Sequence, residues 1–309
     1  MPSNSRHFLS TEIRGLDRYS DTTTDFGTSY YYAVTAVDAA GQMLTVSDAV
    51  GPVNYLNLGK VGDAIDTGTL TAESHIRLAC NSTDDQYLAV YQASNGSQSD
   101  IYAQRFDAQG NALGAAQAVF STSYDERAPV VTWNPLRNEY MVCAERDVDG
   151  SGLYQLQVRR ISRDGTPGGG NNLFFGTDTF TQPQIVFDPV AGRYLVIAVS
   201  DYGTARVRNC AIFTFLLDAD GGYIDDAGKT LGEPWSFSRP SLIYDPVSSG
   251  YAAAFTVSDS AGRSYIYGYR YTADGTVNGN LFSLFSNNSY PACNPCLLFD
   301  PDRTEYVLA

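Results

Sequence analysis

Only two histidines, His7 and His75, occur among the 309 residues, so a relay of nucleophile, base and orienting acid rests on His75 alone. The five cysteines offer little more. Cys293-Asn-Pro-Cys296 is a C-x-x-C with no second pair and no nearby histidine; structural zinc needs four ligands, so a local disulfide or two thiols is the expectation. Cys80, Cys143 and Cys210 fall in apolar runs, where buried free thiols are expected. Their odd number and wide scatter do not make a disulfide framework. Asp218, Asp220 and Asp225 alternate around a glycine turn in the manner of a calcium loop, and Asp147-Val-Asp-Gly150 does so in shorter form. The distal bidentate glutamate is missing, so a solvated hairpin turn is expected, with calcium the one cofactor left open. No phosphate-binding glycine fingerprint is present; Gly168-Gly-Gly170 reads as a loop.

The elements that must position these side chains come from an internal repeat. An apolar strand ends in an aromatic residue, Asp or Asn, and Pro; a short turn follows, then Tyr and a second apolar strand. The phrase reads Val131-Thr-Trp-Asn-Pro135 to Tyr140, Ile185-Val-Phe-Asp-Pro189 to Tyr194, Leu242-Ile-Tyr-Asp-Pro246 to Tyr251 and Leu298-Phe-Asp-Pro301 to Tyr306, with a degenerate copy at Leu78-Ala-Cys-Asn81 to Tyr87. The anchor tyrosines 87, 140, 194, 251 and 306 are 53, 54, 57 and 55 residues apart. Between anchors, alternating polar and aromatic strands close on acidic-Gly turns, a hairpin signal. Each period therefore holds four strands, A to D, and no segment keeps a helical period. Four short antiparallel strands per period predict an all-β β-propeller with four full repeats and a partial fifth, over residues 53–309. Asp188, Asp245 and Asp300 are expected to shape turns, since proline cannot donate into a ladder and aspartate bonds the turn backbone.

The connections from strand D to the next strand A depart from the repeat. They carry Tyr124-Asp-Glu-Arg127, Phe180-Thr-Gln182, Trp235-Ser-Phe237 with Arg239, and Asn287-Asn-Ser-Tyr290, of which Tyr124, Asp125, Glu126, Phe180, Trp235, Phe237, Arg239 and Tyr290 are the candidate ligand contacts. Exposed rings beside amides, carboxylates and a guanidinium suit a sugar, with a flat face for the ring and hydrogen bonds for the hydroxyls; the equal alternative is that the rings plug the gaps between blades. Catalysis on a glycoside instead needs two unlike carboxyls in one cavity. Glu145 is the acid to consider there, since the same strand position holds Gln92, Val199 and Thr256 in the other repeats.

Tyr19 to Thr23, Gly27 to Gly41 and Ser47 to Val50 resemble the last three strands of a fibronectin type III domain, most specifically through Tyr30-Tyr-Tyr-Ala-Val-Thr-Ala-Val-Asp38. That makes residues 1–52 a partial domain of this type lacking the first four strands, ahead of a bacterial-type secreted propeller. Tyr30 to Gly41 also fits the strand C phrase, so these strands would alternatively complete the last blade and close a five-bladed ring. The opening segment has no apolar signal core, and an ending within an apolar strand points to truncation at both ends.

A formal net charge of −14 with 20 Lys and Arg excludes nucleic acid and anionic membrane surfaces as partners. The 22 tyrosines and 17% charged residues give the profile of a β-rich extracellular protein. No apolar run is long enough to insert in a membrane. The primary expectation is a non-catalytic extracellular binding or adhesion module for glycan or protein. The alternatives are a propeller glycoside hydrolase acting on polysaccharide, whose strand openings Phe187-Asp-Pro189 and Arg193-Tyr-Leu195 resemble, and a structural repeat block of a surface protein or filament.

Overall fold

The computed structural model describes residues 72–94, 96–173, 178–201, 210–225, 236–259, 263–285, 293–300 and 303–309, with four short strands between 29 and 54. The chain divides into two compact units, Met1–Lys60 and Val61–Ala309. In the first, β1 (Ser29–Tyr32) pairs with β4 (Val50–Asn54), and β2 (Thr35–Val37) pairs with β3 (Met43–Val46).

The second unit is a series of antiparallel blades. Blade 1 is β5 (Ala72–Asn81), β6 (Gln86–Ser94), β7 (Ser99–Asp107) and β8 (Gln117–Phe120). Blade 2 is β9 (Glu126–Asn134), β10 (Glu139–Asp147), β11 (Tyr154–Ser162) and β12 (Pro167–Leu173). Blade 3 is β13 (Thr179–Asp188), β14 (Arg193–Asp201), β15 (Cys210–Leu217) and β16 (Tyr223–Asp225). Blade 4 is β17 (Ser236–Asp245), β18 (Gly250–Ser258), β19 (Ser264–Tyr271) and β20 (Phe282–Phe285). Blade 5 contributes β21 (Leu297–Asp300) and β22 (Glu305–Leu308). The first strands of successive blades run side by side, whereas the fourth strands barely meet, so strand A is innermost and strand D outermost. This is a β-propeller of four-stranded blades. No helix among the described residues is long and apolar enough to cross a membrane.

Each core cluster joins two consecutive blades. Strand alternation sends Tyr140, Val142 and Ala144 of β10 toward blade 1, where they pack with Leu88, Val90 and Ile101. The intervening Met141 and Cys143 face blade 3, against Tyr194, Val196 and Phe213. A strand packed on both faces reads as a continuous apolar run, which is why β10, β14 and β18 are buried almost throughout. Cys143 and Cys210 are buried within these clusters and neither is in a disulfide, as expected. Cys80 is exposed instead; it pairs across the ladder with Tyr87, which is itself only half-buried. Cys293 and Cys296 are both free and exposed.

The recurring phrase has a double function. Tyr140, Tyr194 and Tyr251 are each the second residue of their strand B and pair across the ladder with Trp133, Phe187 and Tyr244. The Asx residue before proline caps the A–B turn: Asn134 Oδ1 accepts from the N–H groups of Leu136 and Arg137, and Asp188 Oδ1 from those of Val190 and Ala191. Its second terminal atom reaches the next blade's anchor. Asn134 Nδ2 donates to Tyr194 Oη at 2.8 Å, Tyr251 Oη donates to Asp188 Oδ2 at 3.3 Å, and Tyr306 Oη donates to Asp245 Oδ2. Asp188 and Asp245 are thus turn caps and inter-blade bolts, and Asp300 caps its turn by accepting from Arg303 N–H.

Candidate functional site

The two rims differ. One carries the A–B and C–D turns, which repeat nearly unchanged: Gly110, Gly165, Gly221 and Gly275, all at positive φ, each donate a backbone bond three residues back. The other rim carries the D–A connections and B–C hairpins, whose lengths and residues vary from blade to blade. Variation on a fixed scaffold is where binding chemistry concentrates.

At the axial end of that variable rim strand A is kinked in each of blades 1 to 4. A register shift falls at Ser74/Arg77 in β5, opposite Cys143/Glu145 in β9, at Thr181/Gln184 in β13 and at Ser238/Ser241 in β17. The bulged residue has a left-handed backbone at His75, Ala128 and Gln182, with φ of 55°, 49° and 55°. Its N–H points to the preceding blade and finds a side chain on strand B there. Ala128 N donates to Gln92 Oε1 at 3.4 Å, Gln182 N to Glu145 Oε1 at 2.6 Å, and Asn294 N to Thr256 Oγ1 at 3.0 Å. Glu145 therefore belongs to a repeated latch shared with Gln92 and Thr256, and Val199 is the member that departs from it.

Blade 2 builds more on this latch than its siblings do. The second Glu145 oxygen, Oε2, accepts from Arg127 Nε at 2.6 Å. The Glu145 side chain is 3% exposed and the Arg127 side chain 40% exposed, so a buried carboxyl group stands behind a side chain that solvent reaches. Arg127 also lies on the Tyr154 ring, with Cζ 3.4 Å from its centroid. Burial lifts the Glu145 carboxyl above the ordinary carboxylate range, opposed by the Gln182 N–H and by Arg127. His75, at the bulge of the adjacent inner strand, is near enough for its charge to act on Glu145.

The residues expected to form a sugar site fall into three groups. Tyr124 and Asp125 do lie in the D–A connection, half-buried, and the Asp125 carboxylate accepts from Ser99 N–H at 2.8 Å. Glu126, Phe180 and Phe237 do not: they open β9, β13 and β17 and are buried at 0%, 0% and 3% exposure. Phe180 packs edge-on to Phe213 and Phe215, and Phe237 edge-on to Phe255, so neither ring faces a ligand. These positions precede the bulge by two residues, where strand alternation turns the side chain into the core. Glu126 bonds Thr122 through its hydroxyl and N–H. Trp235, Tyr290 and the Arg239 side chain lie outside the described residues. Arg127, Tyr154 and Gln182 were not among the expected site residues, though Arg127 and Gln182 stand beside them in the sequence.

The calcium reading is not supported. Asp218 Oδ1 accepts from the N–H groups of Asp220 and Gly222, and Asp220 pairs with Arg137 at 2.6 Å and Arg160 at 3.0 Å. The Asp225 side chain lies outside the described residues. No three His, Cys, Asp or Glu among the described residues gather as a metal site. A recess of about 200 Å³ lined by Arg105, Gln117 and Asp164 sits on the invariant turn rim, away from this cluster.

No protein-family model matches the chain, and no curated protein matches its sequence. Among solved structures it is similar to a Hadza microbial sialidase, at 11% identity and a TM-score of 0.53, over 72% of this chain and 48% of that one. It is also similar to a thermostable family-43 glycoside hydrolase, at 13% identity and a TM-score of 0.49, over 78% and 85% of the two chains. A third similar structure is an exo-β-1,3-galactanase from Clostridium thermocellum, at 12% identity and a TM-score of 0.49, over 88% and 53%. The chain spans about half the length of the sialidase, and the likeness to it is one of fold.

Proposed function

We propose that this propeller is directed at glycans, that Arg127 and the Tyr154 ring at the axial end of the variable rim form its saccharide contact, and that it turns its glycan over rather than only adhering to it. The observation that carries the site is the partly exposed Arg127 side chain, its guanidinium bonded at Nε by buried Glu145 and laid on the Tyr154 ring. A cation held this rigidly loses little entropy on meeting sugar oxygens, and an adjacent aromatic face suits a pyranose ring. Turnover is supported over adhesion by the fold shared with a sialidase. An extracellular location and the fibronectin type III reading of residues 1–52 belong to the same proposal, resting on the sequence pattern.

Hydrolysis requires two carboxyl groups roughly 5 to 9.5 Å apart, one holding its proton. Glu145 is the acid to test, since burial lifts its carboxyl above the ordinary carboxylate range against the pull of Gln182 N–H and Arg127. Reducing-end release from a polysaccharide panel by the full chain, with Glu145→Gln alongside, separates the readings. Turnover by the wild type that falls by at least about 100-fold in the variant, with binding retained, supports a catalytic Glu145. Binding without any turnover returns the chain to the non-catalytic module, with Glu145 as the residue that positions Arg127.

A further inference from the structure

The ligand class follows from what surrounds Arg127, given the glycan reading above. Its bond to Glu145 uses only Nε, which leaves the two terminal nitrogens as a planar pair of donors on a side chain that solvent reaches. Among the described residues Arg127 pairs with Glu145 and with no second carboxylate, and the carboxylates beside it bond backbone. Asp125 accepts from Ser99 N–H, and Asp147 accepts from the N–H groups of Gly150 at 2.8 Å and Gly152 at 3.2 Å, closing the 148–152 hairpin. Glu145 is likewise filled by Arg127 and Gln182 N–H. His75, at the bulge of the adjacent inner strand, is exposed, with Nδ1 3.0 Å from Ser74 Oγ.

We infer that the saccharide taken by this site carries a carboxylate, as a uronic or sialic acid unit does, and that the carboxylate docks on the outer edge of Arg127 in a two-bond fork. A hydroxyl offers one lone-pair direction at a time, whereas a carboxylate matches both donors at once and neutralises the guanidinium. The chain's net charge of −14 opposes approach of any anion from a distance, so the selectivity must come from short-range geometry, not from steering.

The test uses the full chain and affinity electrophoresis through gels holding polygalacturonate, alginate or polysialic acid. Methyl-esterified polygalacturonate, neutral galactan and carrageenan, which carries sulfate only, form the second set. At least one carboxylate polymer should retard the wild type, and esterification should abolish retardation by the matching backbone. Arg127→Lys, which keeps the charge and loses the fork, should weaken binding roughly 10-fold, and Arg127→Ala by roughly 10- to 100-fold. Removing Arg127 strands a buried anion, so the double variant Arg127→Ala with Glu145→Gln should lose binding while keeping the wild-type circular dichroism. Equal retardation by esterified or neutral polymers would overturn the carboxylate inference and leave the glycan reading standing. Retardation by carrageenan as strong as by the carboxylates would show that negative charge alone suffices, which also overturns it. If no polymer of either set retards the chain, the glycan reading itself fails.

Discussion

Single residues here are asked to hold neighbouring blades together, and the hydroxyl of an anchor tyrosine is the clearest case. Tyr251 is fully buried, and its hydroxyl meets a buried oxygen of Asp188; burial first, and the Asp188 charge second, hold the phenol proton in place. Tyr251→Phe removes the donor and leaves that carboxylate oxygen desolvated, so it should cost about 1.5–3 kcal/mol in urea unfolding. Tyr87, the anchor of blade 1, is only half-buried, and Tyr87→Phe should stay within about 0.5 kcal/mol. Glu126 gives the opposite sign. It occupies the strand position held by Phe180 and Phe237, and burial together with the nearby Asp100 charge raises its pKa against the Thr122 bonds and the Arg146 charge. A raised carboxyl stabilises the fold only while protonated, so its contribution is complete below its ordinary value of 4.5 and is lost as pH rises through the folded value. Glu126→Gln should therefore melt at a higher temperature than the wild type at pH 7, with the gap closing toward pH 4. A gap that is the same at both pH values would mean that ionisation of Glu126 is not what the substitution relieves.

At the scale of elements, the A–B turn shows how one backbone conformation is met with different residues. The turn's last residue has positive φ in every blade: Asp85, Asn138, Gly192, Ser249 and Thr304. Only Gly192 adopts it without a Cβ penalty, and Thr304 is β-branched, the least suited of the five at φ 57°. Thr304→Gly should gain about 1 kcal/mol by thermal unfolding, since the side chain is exposed and no packing is given up. The turns and the order of strands were legible in the sequence because Asp-Pro, Asp-Gly and the anchor tyrosines are punctuation with a fixed chemical cause. The inner-strand bulge was not. It is filled by His75, Ala128 and Gln182, residue types with no shared preference for a left-handed backbone, so nothing in their identity marks it. That hidden bulge shifts the alternation of strand A in blades 1 to 4. Phe180 and Phe237 were read as rim residues because the shift was not visible, and Arg127 was passed over although it stands next to Glu126. Glu145 was legible as unusual, but its latch with Gln182 required knowing which blade lies beside it.

For the propeller unit as a whole, stability should be graded along the series of blades, because each core cluster is shared only between neighbours. β10, β14 and β18 bond to a strand on either side and are buried on both faces. In blade 5, β22 bonds to β21, and Leu298, Tyr306 and Val307 are exposed at 55%, 37% and 45%. Only Leu297 of blade 5 is buried in the cluster it shares with Ala252, Ala254 and Ile266. Opening blade 5 therefore uncovers little apolar surface, whereas opening β14 uncovers two clusters at once. Leu195→Ala should cost about 2–5 kcal/mol, the range for deleting a fully buried leucine, and Leu297→Ala less, at about 1–2 kcal/mol. Native-state hydrogen exchange reads the same gradient without mutation. Amides of Glu305–Leu308 should exchange at least about 100-fold faster than those of Leu195–Val199, because each 1.4 kcal/mol of opening free energy is a tenfold difference in protection. Equal protection in the two strands would mean that blade 5 opens only with the rest of the unit, and that the exposed Leu298, Tyr306 and Val307 face is covered in solution.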